Sequence, residues 1–224
     1  FFVLGKRVVG MPLSVIEGAV AQVFYPQASE AYRDGNLKAV ILNTFSSLFS
    51  IILVPILLLM IAGPDLIAVV FGEAWRMAGV FLVWLAPRIL AQFISSPLSL
   101  VFVVQQRQDL NLKIDALLFV CNIGTVISGG LLKNSLLAIQ LLGVGTFVCY
   151  SFACYKIFRL AEVHFSEVFQ VLFSVARKAI PYILMPLLVF LFYHHAGIMV
   201  FVSVLSGCLF LLLQSREWGS IYRQ

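Results

Sequence analysis

The chain has 224 residues, 62% of them hydrophobic and 11% charged, with a formal net charge of +5 and a mean hydropathy of +1.03. Soluble domains carry about 25% charged residues, so this composition excludes an ordinary water-soluble globule and predicts an all-α, polytopic helical bundle in lipid. The first residue is Phe1 and no basic start precedes a short apolar stretch with a cleavage site, so the chain is expected to be an internal or C-terminal piece of a longer protein.

A hydrocarbon core about 30 Å thick takes roughly 20 apolar residues per helical crossing. By that measure seven membrane segments are expected, at Val8–Tyr25, Ala39–Gly63, Met77–Val104, Ile114–Leu132, Ser135–Tyr155, Ala179–Tyr193 and Gly197–Leu213. The last two come from 37 consecutive residues, between Lys178 and Arg216, without one Asp, Glu, Lys or Arg. Pro12, Pro55, Pro87, Pro97, Pro181 and Pro186 fall inside these segments, where they are expected to kink helices whose neighbours satisfy the freed carbonyls. Between the fifth and sixth segments, Val163, Phe165, Val168, Phe169, Leu172 and Val175 oppose Glu162, Glu167, Gln170 and Arg177. Leu160–Arg177 therefore reads as an amphipathic helix lying along the inner interface. The domain plan is membrane helices over 1–160, the interfacial helix over 161–177, and two further membrane helices with a short tail over 178–224.

Basic residues alternate between the loops. Arg33, Lys38, Arg107, Lys113, Lys156, Arg159, Arg177, Lys178, Arg216 and Arg223 fall on one side, against Arg76 and Lys133 on the other. Cytoplasmic loops are enriched in Lys and Arg, so the first group is expected inside, with the C-terminus cytoplasmic. This accounts for the positive charge without a nucleic-acid partner.

Lys6, Arg7 and Arg88 are left over from that pattern. Arg88 falls near the middle of the third segment, where an arginine costs about 2.5–3.5 kcal/mol on insertion scales and marks a functional-site candidate. It either faces a wet cavity, where its planar fork suits phosphate, or snorkels or pairs with a carboxylate such as Asp115. On the first segment Lys6, Gly10, Leu13 and Glu17 share a helical face, beside one formed by Arg7, Ser14, Gly18, Ala21 and Tyr25. That small, polar surface either lines a cavity or permits close helix packing. Lys6, Arg7 and Arg88 are thus the candidate cationic substrate-binding residues, and Glu17 and Gln92 the candidate coupling or cavity-lining polar groups. Asp115 reads as an interface charge near Lys113.

The four cysteines, Cys121, Cys149, Cys154 and Cys208, sit in apolar runs with no metal-binding spacing and read as small packing residues. His194–His195 occupies the outer turn before the seventh segment, with little support for a metal role. The chain lacks a GxxxxGK[ST] loop, a GxSxG elbow and an HExxH pair. No cofactor is expected, and transport is favoured over enzymatic chemistry.

VVGMPLSVIEGAVAQVFYPQASEA, followed by FGEAWRMAGVFLVWLAPRILAQFISSPLSLVFVVQQRQDL, resembles the C-terminal half of Wzx-type polysaccharide flippases of the MATE-like superfamily. The likeness covers about Val8–Leu110 and rests on the order of FG, W, AG, a mid-helix proline, SPLS and QRQ. It implies a two-lobed transporter, of which this chain would be the C-terminal lobe and the partner lobe an upstream part of the same protein. It further implies that an undecaprenyl-pyrophosphate-linked oligosaccharide is moved across the bacterial inner membrane for surface polysaccharide. A cationic cavity holding the pyrophosphate, and coupling to protons or sodium, come with it. Two alternatives stay open: a MATE-type drug antiporter, for which Glu17 and Asp115 are the only carboxylates inside the spans, and a membrane polysaccharide polymerase or ligase, for which the loop around Gly63–Arg76 offers only Asp65, Glu73 and Arg76.

Overall fold

The computed structural model describes the backbone of residues 2–192 and 196–221, and the side chains of 10, 11, 13–189 and 197–214. It consists of eight helices: α1 (Phe2–Arg33), α2 (Leu37–Phe71), α3 (Arg76–Leu98), α4 (Leu100–Val104), α5 (Gln108–Leu131), α6 (Ser135–Leu160), α7 (Phe165–Phe192) and α8 (Ala196–Ile221), with a single 3₁₀ turn at Glu73–Trp75. Among the described residues six helices are long and apolar enough to cross a membrane, α3 and α4 counting as one with the 3₁₀ turn. The fold is therefore the helical membrane bundle that the composition predicts.

The connections are short because the helix ends close on themselves. After α1, α4, α5 and α6 one residue adopts a positive φ: Gly35 (72°), Gln106 (56°), Lys133 (47°) and Glu162 (55°). In each case the next amide reaches back to a carbonyl five residues earlier, as in Asn36 N to Ala31 O (2.8 Å) and Arg107 N to Phe102 O (2.7 Å). This satisfies carbonyls that the helix would leave bare, and it turns the chain within two or three residues. Asn134 then caps α6, its side chain accepting from Leu137 N at 3.1 Å.

Three boundaries differ from the sequence expectation. α2 does not stop at Gly63 but runs through Pro55 and Pro64 to Phe71. The outer loop expected over Gly63–Arg76 thus shrinks to Gly72 and the 3₁₀ turn; Gly72, at φ 96°, takes a backbone conformation that side-chain-bearing residues rarely adopt. Arg76 closes this turn, bonding Glu73 through two nitrogens at 2.8 Å each and Asp65 through a third contact. The third segment breaks at Ser99, two residues after Pro97, into α3 and α4. The amphipathic stretch and the sixth segment form one continuous helix, α7, because Pro181 bends a helix whose neighbours hold it rather than ending it. Arg177 and Lys178, expected in the interfacial connector before the sixth segment, consequently lie about 18–20 Å along α7 from its start.

α2 is the centre of the bundle. It packs against α3, α7 and α8, while α3 also contacts α1 and α6, and α5 rests chiefly on α6. Its most apolar window is 61% buried, against 17% for those of α5 and α7. Ile41, Leu48, Ile52 and Val54 of α2 meet Leu82, Phe93 and Leu98 of α3, Val101 and Phe102 of α4, and Ile157 of α6 in one core. The outer surface is also apolar. Along α5, Leu112, Phe119, Val120, Val126, Ile127 and Leu131 are all exposed, a face stable only against lipid or further protein.

Glycines set the closest helix approaches, at places different from those expected. A Cβ on Gly79 of α3 would lie 2.5 Å from Gly63 O and from Pro64 Cα of α2; one on Gly143 of α6 would lie 2.4 Å from Trp84 O of α3. Gly10 and Gly18, read from the sequence as possible packing positions, have nothing within 4 Å of such an atom. The small-residue surface of α1 is open in this chain.

The basic loops gather at one end of the bundle. Lys38, at the start of α2, pairs with Glu167 of α7 at 2.8 Å, and Gln105 donates to Leu160 O at 3.1 Å. The α1–α2, α4–α5 and α6–α7 connections therefore lie side by side. The Arg76 cluster and Lys133 fall at the alternate helix ends. Side chains of Arg216 and Arg223 lie outside the described residues.

Candidate functional site

Arg88 is at the thirteenth residue of α3, one residue past Pro87, and is half-buried. Arg88, Gln92 and Ser96 recur every fourth residue, so they form one polar stripe along a helix that is otherwise apolar. α1 and α6 both pack on α3, which brings their polar residues toward it. Glu17, half-buried on α1, interacts with Ser96, and Tyr150 of α6 interacts with Arg88.

Three helices thus supply one polar group: Glu17 from α1, Arg88 and Ser96 from α3, and Tyr150 from α6; Asp115 of α5 is exposed and stays outside it. Among the described residues Arg88 forms no ion pair with a carboxylate, whereas Arg76, Arg107, Lys38 and Lys113 each do. The pairing with Asp115 that the sequence allows is not formed; Asp115 instead accepts from Asn111 Nδ2 at 3.2 Å, one turn away. A guanidinium held at mid-helix with a phenol beside it keeps donors for an anion.

Tyr150 was not singled out from the sequence, although a phenolic hydroxyl in the middle of an apolar helix was a legible signal. Gln92 falls on the Arg88 face by position, and its side chain makes no hydrogen bond among the described residues. Lys6 and Arg7 lie on α1, but their side chains are outside the described residues, so the proposed trio of cations is represented there by Arg88 alone. His194–His195 also lies outside them. No cluster of three or more His, Cys, Asp or Glu fit to hold a metal occurs among the described residues.

Cys121 of α5 and Cys149 of α6 meet across their interface, where Gly145 leaves space for the Cys121 sulfur. All four thiols are free.

Residues 1–79 match the model of a family described as polysaccharide biosynthesis protein. That stretch holds α1, α2 and the start of α3, including Glu17 and the surface of α1 left open in the bundle. Comparison with curated proteins and with solved structures gives no match. The chain is a multi-pass helical protein whose N-terminal third is similar to proteins of polysaccharide biosynthesis.

Proposed function

We propose that this chain is a lobe of a flippase that moves an undecaprenyl-pyrophosphate-linked oligosaccharide across the bacterial inner membrane during surface polysaccharide synthesis. The observation that carries this reading is Arg88, a mid-span cation without a carboxylate partner among the described residues, set in a polar group to which three helices contribute. A pyrophosphate headgroup carries the complementary charge, and a guanidinium binds it in a forked geometry. Lys6 and Arg7 would add cationic charge from the open face of α1. The match to a polysaccharide biosynthesis family agrees in subject. Connections of a few residues leave no folded extramembrane domain among the described residues, which favours carriage over polymerisation or ligation. The rest of such a transporter would be a second lobe facing α1, and membrane lipid would surround the remainder.

The reading is tested by reconstituting the intact protein in liposomes with a fluorescent lipid-linked oligosaccharide and measuring how much label crosses from one leaflet to the other. Protein-dependent crossing is expected, with no efflux of a cationic dye. Dye efflux without lipid crossing would instead favour a drug antiporter.

Glu17 is the best-placed residue for coupling to protons or sodium, being the α1 carboxylate that lies within the apolar stretch, whereas Glu30 is in its last turn. Glu17→Gln is expected to lower flipping about tenfold and to flatten its dependence on pH or sodium, with protein levels unchanged. An unaltered ion dependence would assign Glu17 to packing with Ser96.

The excess of Lys and Arg at the basic end of the bundle supports a cytoplasmic position for that end and for the C-terminus. A membrane-impermeant maleimide is expected to label Arg107→Cys only in inverted vesicles and Lys133→Cys only in intact spheroplasts. The reverse pattern would invert the topology.

A further inference from the structure

A cleft of about 610 Å³ opens between α1 and α2, its lining beginning within one turn of Glu17 along α1. Ligand pockets commonly measure about 300–1,000 Å³, so it is large enough for a bound molecule. Gln27 of α1 and Asn43, Thr44, Ser46 and Ser47 of α2 line it, and among the described residues no charged side chain does. None of these five side chains makes a hydrogen bond among the described residues. Helical Ser and Thr can bond back to a carbonyl one turn earlier, as Thr146 does here, and the hydroxyls of Thr44, Ser46 and Ser47 do not. Two amides and three hydroxyls therefore point unpaired into one space. Against hydrocarbon they would be poorly placed; against a ligand rich in hydroxyls they are complementary. The remaining wall is apolar, with Val20, Val23 and Phe24 presenting a surface suited to the C–H faces of sugar rings.

The cleft also has a defined place. Residues 43–47 lie about 9–15 Å along α2 from Leu37, close to the end where Lys38 and the basic loops gather. An anionic ligand would demand a cation in the lining, and a fully apolar one would leave the amides unsatisfied. A neutral polyhydroxyl compound fits both the chemistry and the match of α1 and α2 to a polysaccharide biosynthesis family.

We infer that the α1–α2 cleft is a saccharide subsite, in which the amides and hydroxyls of Gln27, Asn43, Thr44, Ser46 and Ser47 hydrogen-bond neutral sugar rings of the cargo while the headgroup is held elsewhere. The inference rests on the flippase reading and deepens it. It divides recognition in two: charge at Arg88, and sugar hydroxyls in the cleft.

The test uses the intact protein in lipid nanodiscs and two probes, undecaprenyl pyrophosphate and the same lipid carrying a neutral disaccharide. The wild type is expected to bind the glycosylated probe about tenfold more tightly, as two net hydrogen bonds would give. Asn43→Leu should reduce that preference to about twofold and leave affinity for the bare lipid unchanged. Equal affinity of the wild type for both probes, or a preference that survives Asn43→Leu, overturns the subsite and leaves the flippase reading standing. Failure of the wild type to bind either probe overturns the flippase reading as well. Should Asn43→Leu fail to insert, Ser47→Cys supplies a second measurement. Its thiol should react with a water-soluble maleimide and be protected by the glycosylated probe but not by the bare lipid. A thiol that never reacts, or that both probes protect equally, counts against the subsite.

Discussion

Replacing Arg88 by Ala in the intact protein is expected to lower surface polysaccharide at least tenfold while membrane levels of the protein stay normal. The expectation follows from how the residue is held. A guanidinium at the middle of a span is expensive to place there, and no carboxylate among the described residues neutralises it. Tyr150 supplies a neutral partner, which orients the charge without cancelling it. Removing the side chain therefore relieves the protein of a costly charge, so folding should not suffer. What is lost is a charge-assisted contact to the cargo, and such contacts are worth about 1.5–3 kcal/mol each, or more than tenfold in affinity. Arg88→Lys should recover part of the activity, because the charge survives but the fork does not. Polysaccharide yield and immunoblotting of the membrane fraction decide the matter together. Normal polysaccharide with normal protein would remove Arg88 from the mechanism.

The second large effect is expected at Gly79, and it is of the opposite kind. A Cβ there would meet the Gly63 carbonyl oxygen and the Pro64 Cα at 2.5 Å. Both obstacles are backbone, which cannot rotate aside as a side chain can. Gly79→Val must therefore push α2 and α3 apart along their shared core, which Leu82 and Ile52 also build. Overpacking of this kind destabilises by about 1–3 kcal/mol. The thermal midpoint of the purified protein should fall, and membrane levels with it. Gly10→Ala is the control: nothing lies within 4 Å of its added carbon, so stability should be unaffected. Equal midpoints for the two variants would mean that α2 and α3 are less closely apposed than described.

These two residues also show what the sequence made legible. Arg88 stood out because a charge inside an apolar run is anomalous in one dimension, with no need of the fold. The same logic found Glu17 and the basic side of the bundle, while hydropathy led to seven expected spans where six helices among the described residues are long and apolar enough. Gly79 was not distinguishable from Gly10, because a glycine's role is set by what crosses it, and the partner of Gly79 is 16 residues away on another helix. Tyr150 joined the polar group for a similar reason: its approach to Arg88 is made by α6 packing on α3. Helix ends were misjudged beside Pro64 and Pro97, whereas Pro55, Pro87, Pro181 and Pro186 lie inside helices as expected. Pro64 and Pro181 lie inside continuous helices, while the break after Pro97 falls at Ser99, inside what hydropathy marks as one segment. Hydropathy measures a mean over a window and registers none of these bends.

The length of α2 carries a mechanical corollary. Its 35 residues would extend about 52 Å if straight, well beyond the roughly 30 Å of acyl chains. The central strut of the bundle must therefore lean, bow at Pro55 and Pro64, or protrude from the bilayer. Whichever it does, a thinner or thicker host membrane acts as a load on the one helix that both braces the core and walls the α1–α2 cleft.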